Sequence, residues 1–328
     1  MSQTLADLGE TELLRRLAHF APAGQLDDDT ACVAADPRPL LVNTDVLVDG
    51  IHFSDATTDP IDVGWRAVAA NLSDLAASGA ESVDGITVAL VAPDNTRWDW
   101  VEGVYQGMSD ALRCHGGILL GGDCSSGLQR LLSVSALGRL GPLRLHRGDA
   151  RPGDLLLTSG AHGLSRLGLA LLQNDPTLQR LSIPEDLKDQ AIQRHRRPVP
   201  RFDALKALLA SKPDSVPMRA GGTDSSDGLL AAVQGLCASS GCGALLDRDQ
   251  LPRQSGWPMG APWDEWCLAG GEDFELVLSL PPAWASPWLD RVPGAQRIGT
   301  ISADAGSVRW SDDQTTIKGR GFVHYSNR

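Results

Sequence analysis

The chain has 328 residues, of which 42% are hydrophobic and 21% charged, and its formal net charge is −12. That length is comfortable for two domains, and the composition is ordinary for a globular protein. The acidity excludes a protein that grips nucleic acid through phosphates, and no apolar run reaches the ~18 residues of a membrane-spanning helix.

The N-terminus, MSQTLADLGETELLRRL, is amphipathic and acidic and lacks the basic and apolar regions of a signal peptide. The cysteines Cys32, Cys114, Cys124, Cys237, Cys242 and Cys267 form no CxxC pair and no zinc spacing. Reduced thiols in a cytoplasmic protein are expected. Residues 40–48 (LLVNTDVLV) read as a buried strand interrupted by Asn43, Thr44 and Asp45. Asp59-Pro60 opens a helix, Trp65, Val68, Leu72 and Leu75 form its apolar stripe, and Gly79 stops it. A strand over 86–91, a helix from about Thr96 to His115, and strands over 118–123 and 131–140 follow.

This order predicts an α/β N-terminal domain over 1–143. The stretch 141–153 (GPLRLHRGDARPG) reads as a linker. Beyond it, strands near 155–160, 243–247, 274–280 and 296–301 mix with helical patterns near 163–173, 186–196 and 202–211. A further helix opens at Asp227-Gly228. The second domain, 144–328, is therefore expected to be α+β.

Aspartates recur in five polar signatures: Asp27-Asp28-Asp29, Asn43-Thr44-Asp45, Asn71-Leu72-Ser73-Asp74, Gly121-Gly122-Asp123 and Thr223-Asp224-Ser225-Ser226-Asp227-Gly228. Taken singly, most such residues are caps or turns. Asp45 is harder to dismiss, because a carboxylate inside an apolar strand is costly unless paired or bound to metal. Hard divalent cations such as Mg²⁺ take this oxygen ligand set. There is no GxxxxGK[ST], GxGxxG, GxSxG or HExxH motif. A phosphorylated substrate would thus be met by Asp-held metal rather than a glycine cradle. Like charges ~4 Å apart repel by about 4 kcal/mol at a dielectric near 20, so carboxylates beside polyphosphate need cations between them.

The motifs and their order resemble those of the thiamine-monophosphate kinase family, in the superfamily that includes aminoimidazole ribonucleotide synthetase and selenophosphate synthetase. The resemblance runs through LDDDTACV (26–33), NTDVLVDGIHF (43–53), AVAANLSDLAASGA (67–80), LLGGDCSSG (119–127) and HRGDARPGD (146–154). It continues through TDSSDGL (223–229), GGEDFEL (270–276) and GFVHY (321–325). It implies a two-domain, aminoimidazole ribonucleotide synthetase-like architecture whose C-terminal domain completes the active site. It also implies transfer of a phosphoryl group from ATP to thiamine monophosphate, several Mg²⁺ ions, and a homodimer joined through the N-terminal sheets. Residue by residue, it makes Asp29, Asn43, Thr44, Asp45, Asp74, Asp123, Asp224 and Asp227 metal ligands, with Asp45, Asp74, Asp123 and Asp224 central to catalysis. It makes Tyr105, Gly122, Asp123, Arg147 and Ser226 contacts to ATP, and His52, Glu272 and Phe322 contacts to thiamine monophosphate.

The chain departs from the family pattern at Asp27 (usually Gly), Asn43 (usually Ser), Cys124 (commonly Thr) and Gly148-Asp149. None of these removes a carboxylate of the core set. Trp257, Trp263 and Trp266 lie just before Gly270-Gly271-Glu272 and read as packing under a long loop or as flanks of the thiamine rings. Two other readings compete. A sister enzyme such as selenophosphate synthetase needs a reactive cysteine in a glycine-rich N-terminal segment, a context Cys32 lacks. A non-catalytic sensor of ATP or thiamine phosphate has no need of so many magnesium ligands.

Overall fold

The computed structural model describes residues 3–179, 181–319 and 321. Two units divide the chain: Met1–Leu75 with Ala80–Gly141, and Ala76–Gly79 with Pro142–Arg328.

In the first unit, helix α1 (Leu5–Leu17) starts from a reciprocal cap between Thr4 and Asp7 and kinks at Gly9. Strand β1 (Leu40–Val48), helix α2 (Pro60–Ala77), strand β2 (Ala80–Ala92), helix α3 (Trp98–His115), strand β3 (Ile118–Ser126) and strand β4 (Leu131–Leu140) follow. The sheet order is β1-β4-β2-β3. β4 runs antiparallel to β1 and β2, and β3 runs parallel to β2 with α3 as the crossover. Side chains alternate across β1. Leu41 and Leu47 are buried, and Asn43 reaches α2, whereas Leu40, Val42 and Val46 are exposed on the other face.

α2 begins at Pro60, where a missing N–H costs nothing, and Gly79 at φ +90° ends its run. The helices α2 and α3 touch through glycines. A Cβ on Gly64 would lie 1.8 Å from the Val104 carbonyl oxygen, and one on Gly107 would lie 1.8 Å from that of Ile61.

The second unit holds β5 (Leu155–Thr158), α4 (Leu164–Leu172), α5 (Glu185–Arg196), α6 (Phe202–Ala210), β6 (Gly221–Asp224) and α7 (Leu229–Ser240). These are followed by β7 (Gly243–Leu246), α8 (Ala261–Ala269), β8 (Leu276–Leu280), α9 (Pro282–Leu289), β9 (Gln296–Ser302) and β10 (Val308–Trp310). The sheet order is β10-β7-β9-β5-β8-β6. β8 is buried along its whole length because both faces are covered. Leu229, Val233 and Leu236 of α7 form one cluster with Leu156 and Val277, while Leu205, Leu208, Trp284 and Trp288 form another with Leu157 and Leu278. The indole nitrogens of Trp284 and Trp288 donate to the Leu208 and Ala204 carbonyls at 3.0 Å, pinning α9 to α6.

The stretch 141–153 is not a free linker. Leu143, Leu145 and Ala150 are buried, His146 bridges Gly221, and Arg219 donates to the Asp149 carbonyl at 2.7 Å. From Pro142 onward it belongs to the second unit. The strand expected from Phe274 begins instead at Leu276, because Phe274 sits at φ +53°, outside the extended region.

Candidate active site

In the first unit, β1 and α2 meet at Asn43. Its Nδ2 donates to Asn71 Oδ1 at 3.1 Å and to Asp74 Oδ2 at 3.0 Å. Asn71 is held in turn by its own donation to the Ala67 carbonyl at 2.9 Å. Asn71 and Asp74 share a helix face at i, i+3. Sequence reasoning missed Asn71 as a site residue, although it stands in the same signature as Asp74. The Oδ1 of Asn43 is buried without a hydrogen-bond partner, an arrangement that costs about 1–3 kcal/mol unless something fills it.

Asp45 lies on the same face of β1 as Asn43 and is half-buried. Thr44 faces the other way, and its hydroxyl lies 2.6 Å from Ser135 Oγ on β4. The side chain of Thr44 therefore does not join those of Asn43 and Asp45. Asp29 is exposed in the loop before β1, where Asp28 accepts from its N–H at 2.8 Å. Asp27, the residue in the glycine position, is exposed at a turn closed on the Gly24 carbonyl.

Asp123 is exposed on β3 beside Gly122, with its Oδ1 accepting from Cys124 N at 2.9 Å. Burial, with the Asp123 charge beside it, pushes the Cys124 thiol up to about 11. Tyr105 is buried in α3, its ring centroid 5.7 Å from that of Phe20, and burial raises its phenol. His52 follows β1, and its Nδ1 accepts from Val48 N at 3.0 Å. A neutral imidazole so held carries its proton on Nε2 and presents a donor there.

In the second unit, β6 delivers Asp224, buried, and Ser226 Oγ donates to Asp224 Oδ1 at 3.1 Å. Asp227 is exposed just before α7. Arg147 is exposed, and its Nε donates to Thr223 Oγ1 at 2.9 Å. Glu272 stands at φ +58° in the loop before β8, and its N–H donates to the Ser226 carbonyl at 2.7 Å. Ser226 and Glu272 are thus tied through the main chain. Phe322 lies outside the described residues. The three tryptophans pack. Trp257 is buried with Leu164, Leu167 and Leu187, and its indole donates to the Trp263 carbonyl. Trp266 is met edge-on by Trp263 at 4.8 Å and covered by the Arg166 guanidinium at 4.1 Å.

Among the described residues, no three His, Cys, Asp or Glu side chains gather into a group that could hold a metal ion. Mg²⁺ does not require such a cage. It is held by one or two carboxylates with water and substrate phosphates. The orphaned oxygen of Asn43, whose amide nitrogen is the atom bonded to Asp74, with carboxylates as the other donors, fits that manner of binding.

A family model for the N-terminal domain of AIR synthase related proteins matches residues 27–140. The thiamine-monophosphate kinase of Prochlorococcus marinus is 52% identical over 325 residues, covering 98% of this chain and 98% of that protein. The thiamine-monophosphate kinase of Escherichia coli K12 is 34% identical over 338 residues, covering 97% and 98%. Among solved structures, AaThiL complexed with AMPPCP and TMP is similar at a TM-score of 0.75 and 29% identity, over 99% of this chain and 100% of that one. The hydrogenase maturation protein HypE, at 19% identity and a TM-score of 0.71, shares the fold alone.

Proposed function

The chain belongs to the thiamine-monophosphate kinase family, and from that premise we propose that its aspartates hold Mg²⁺ while phosphate meets phosphate. The enzyme transfers the terminal phosphoryl group of ATP to thiamine monophosphate, giving thiamine diphosphate. The likeness over the full length of its relatives carries this reading.

We assign Asp29, Asn43, Asp45, Asp74 and Asp123 in the first unit, and Asp224 and Asp227 in the second, as magnesium ligands. Thr44 joins them through main-chain oxygen, since its hydroxyl is engaged by Ser135. Bound Mg²⁺ would neutralise phosphate charge and stabilise the charge of the transition state. The protein's own residues orient the reactants. Arg147, tethered at Nε by Thr223, offers a guanidinium fork to ATP phosphates. His52, its proton on Nε2, donates to the substrate, and Glu272 holds the substrate's organic part. Gly122 and Ser226 border the nucleotide, and Phe322 and Tyr105 complete the assigned contacts.

The attacking group is a phosphate oxygen whose second pKa is ~6, so it is ionised at neutral pH without a general base. Transfer is direct and in line, with no phosphoenzyme. We also place the enzyme in the cytoplasm and read it as a homodimer formed through the exposed apolar face of β1.

Phosphorus NMR of enzyme, ATP, Mg²⁺ and thiamine monophosphate tests the reaction. Thiamine diphosphate and ADP in equal amounts are expected, and their absence overturns the reading. Asp74→Asn should lower kcat by about 100-fold or more while leaving the circular dichroism spectrum unchanged. Near-normal turnover would remove Asp74 from the ligand set.

A further inference from the structure

The loop that carries Glu272 is strained and over-determined. Gly271, Glu272 and Phe274 all have positive φ, at +69°, +58° and +53°. Two of these are not glycine, and such a backbone persists only where its surroundings hold it. The holding groups are buried. The Asp273 carboxylate accepts from Gly163 N at 2.6 Å and Ser165 N at 2.9 Å, capping α4 from a distant part of the chain. The Glu275 carboxylate takes Ser159 Oγ at 2.5 Å, pairs with Arg194 at 3.0 Å, and bonds Arg201. Asp273 and Glu275 thus point inward, and Glu272, between α8 and β8, remains half-exposed.

Among the neighbours of the Glu272 carboxylate is a buried side chain. Glu272 Oε2 lies 3.7 Å from Nδ1 of His195, which ends α5 and is 3% exposed. The same ring nitrogen lies 3.0 Å from Ser165 Oγ. Ser165 is fixed in turn by Asp273 through its main-chain N–H. This is not a nucleophilic triad, which needs hydroxyl and carboxylate on opposite ring nitrogens. Both groups here lie on the Nδ1 side, Ser165 within hydrogen-bond distance and the carboxylate at ion-pair distance, so the imidazole stands as a post between α4 and Glu272.

We propose that His195, held by Ser165, is a positioning residue that fixes the Glu272 carboxylate in the rotamer that receives thiamine monophosphate. The assignment rests on Glu272 being a substrate contact. A carboxylate on a mobile side chain loses affinity to rotamer entropy, and a buried partner removes that loss before the substrate arrives.

Steady-state kinetics on the full-length enzyme, with ATP and thiamine monophosphate varied separately, tests this. His195→Leu should raise KM for thiamine monophosphate about tenfold while leaving kcat and KM for ATP within about twofold. His195→Asn restores a nitrogen near the Nδ1 position and should recover KM to within about threefold. Glu272→Gln should raise the same KM, and adding His195→Leu to it should cost nothing further, because the two act as one unit. Ser165→Ala, expected to raise KM about threefold, carries the test if His195→Leu does not fold. If Glu272→Gln raises KM but His195→Leu (or Ser165→Ala in its place) leaves it unchanged, or the double variant is additive, the His195 inference falls alone. If Glu272→Gln leaves KM unchanged, the substrate contact falls and the positioning role falls with it.

Discussion

His162 is wholly buried, with Nδ1 3.2 Å from the Gly160 carbonyl and Nε2 without a partner. The proton therefore sits on Nδ1 and the ring is neutral. Burial lowers its pKa to about 4 from 6.5. Between those values the unfolded chain binds a proton that the folded chain refuses, so this group's contribution is complete above pH 6.5 and is lost as pH falls towards 4. Asp273, pushed up to about 7 by burial, has the opposite sign: the folded state keeps a proton that the unfolded state releases, so its contribution declines as pH rises to 7. Comparing wild type with His162→Asn cancels Asp273 and isolates the histidine. The stability gap measured by urea unfolding should narrow by about 1.4 kcal/mol per pH unit on going from pH 6.5 towards 4. Parallel curves would show that His162 does not titrate so low. At this scale motif order singles out the aspartates and His52 as candidates. The pairing of Asn43 with Asn71 and Asp74 was not legible in the sequence, because 28 and 31 residues separate the partners and only the fold brings β1 to α2. His195 had no motif to mark it. Its role comes from a ring nitrogen that two other parts of the chain happen to share.

Periodicity marked the elements that carry one buried face. β1, α2, α3, β4 and the helices from α4 to α7 all stand near where apolar spacing places them. β6 escaped because Gly221 and Gly222 supply no strand pattern, and the backbone there is packed between Leu145 and Ala150. α8 and α9 escaped because proline stands in the first turn of each, and α9 carries a second proline, Pro287, inside the helix. The α2–α3 contact is the most sensitive of these junctions. A methyl group at Gly64 or Gly107 meets rigid main chain, not a side chain that can turn away. Gly64→Ala should cost about 1–3 kcal/mol in thermal or urea unfolding, even though alanine is the better helix former. A neutral or stabilising result would show that the two helices can separate freely.

For the whole molecule, the outer face of the first unit's sheet poses the main question. Val42 is 61% exposed, with Leu40 and Val46 beside it, and among the described residues no element covers them. The homodimer proposed above would bury this face in pairs, whereas a net charge of −12 would keep loose association weak. Val42→Lys combined with Val46→Lys should halve the mass measured by light scattering without changing the secondary structure. A dimer that persists, or a wild type that is monomeric, rules this face out as the interface. No helix among the described residues is long and apolar enough to cross a membrane. The cap on α4 has one more consequence, in time rather than in space. Gly163 and its acceptor Asp273 are 110 residues apart, so at 5–20 residues per second the ribosome needs roughly 5–20 s to supply the partner. β5 waits as well, since both neighbours, β8 and β9, are translated after residue 275. A nascent chain paused before that point holds Leu155, Leu156 and Leu157 without a strand to pair with. The second unit must therefore close after synthesis of its last strands, and any chaperone that attends this protein has its work there.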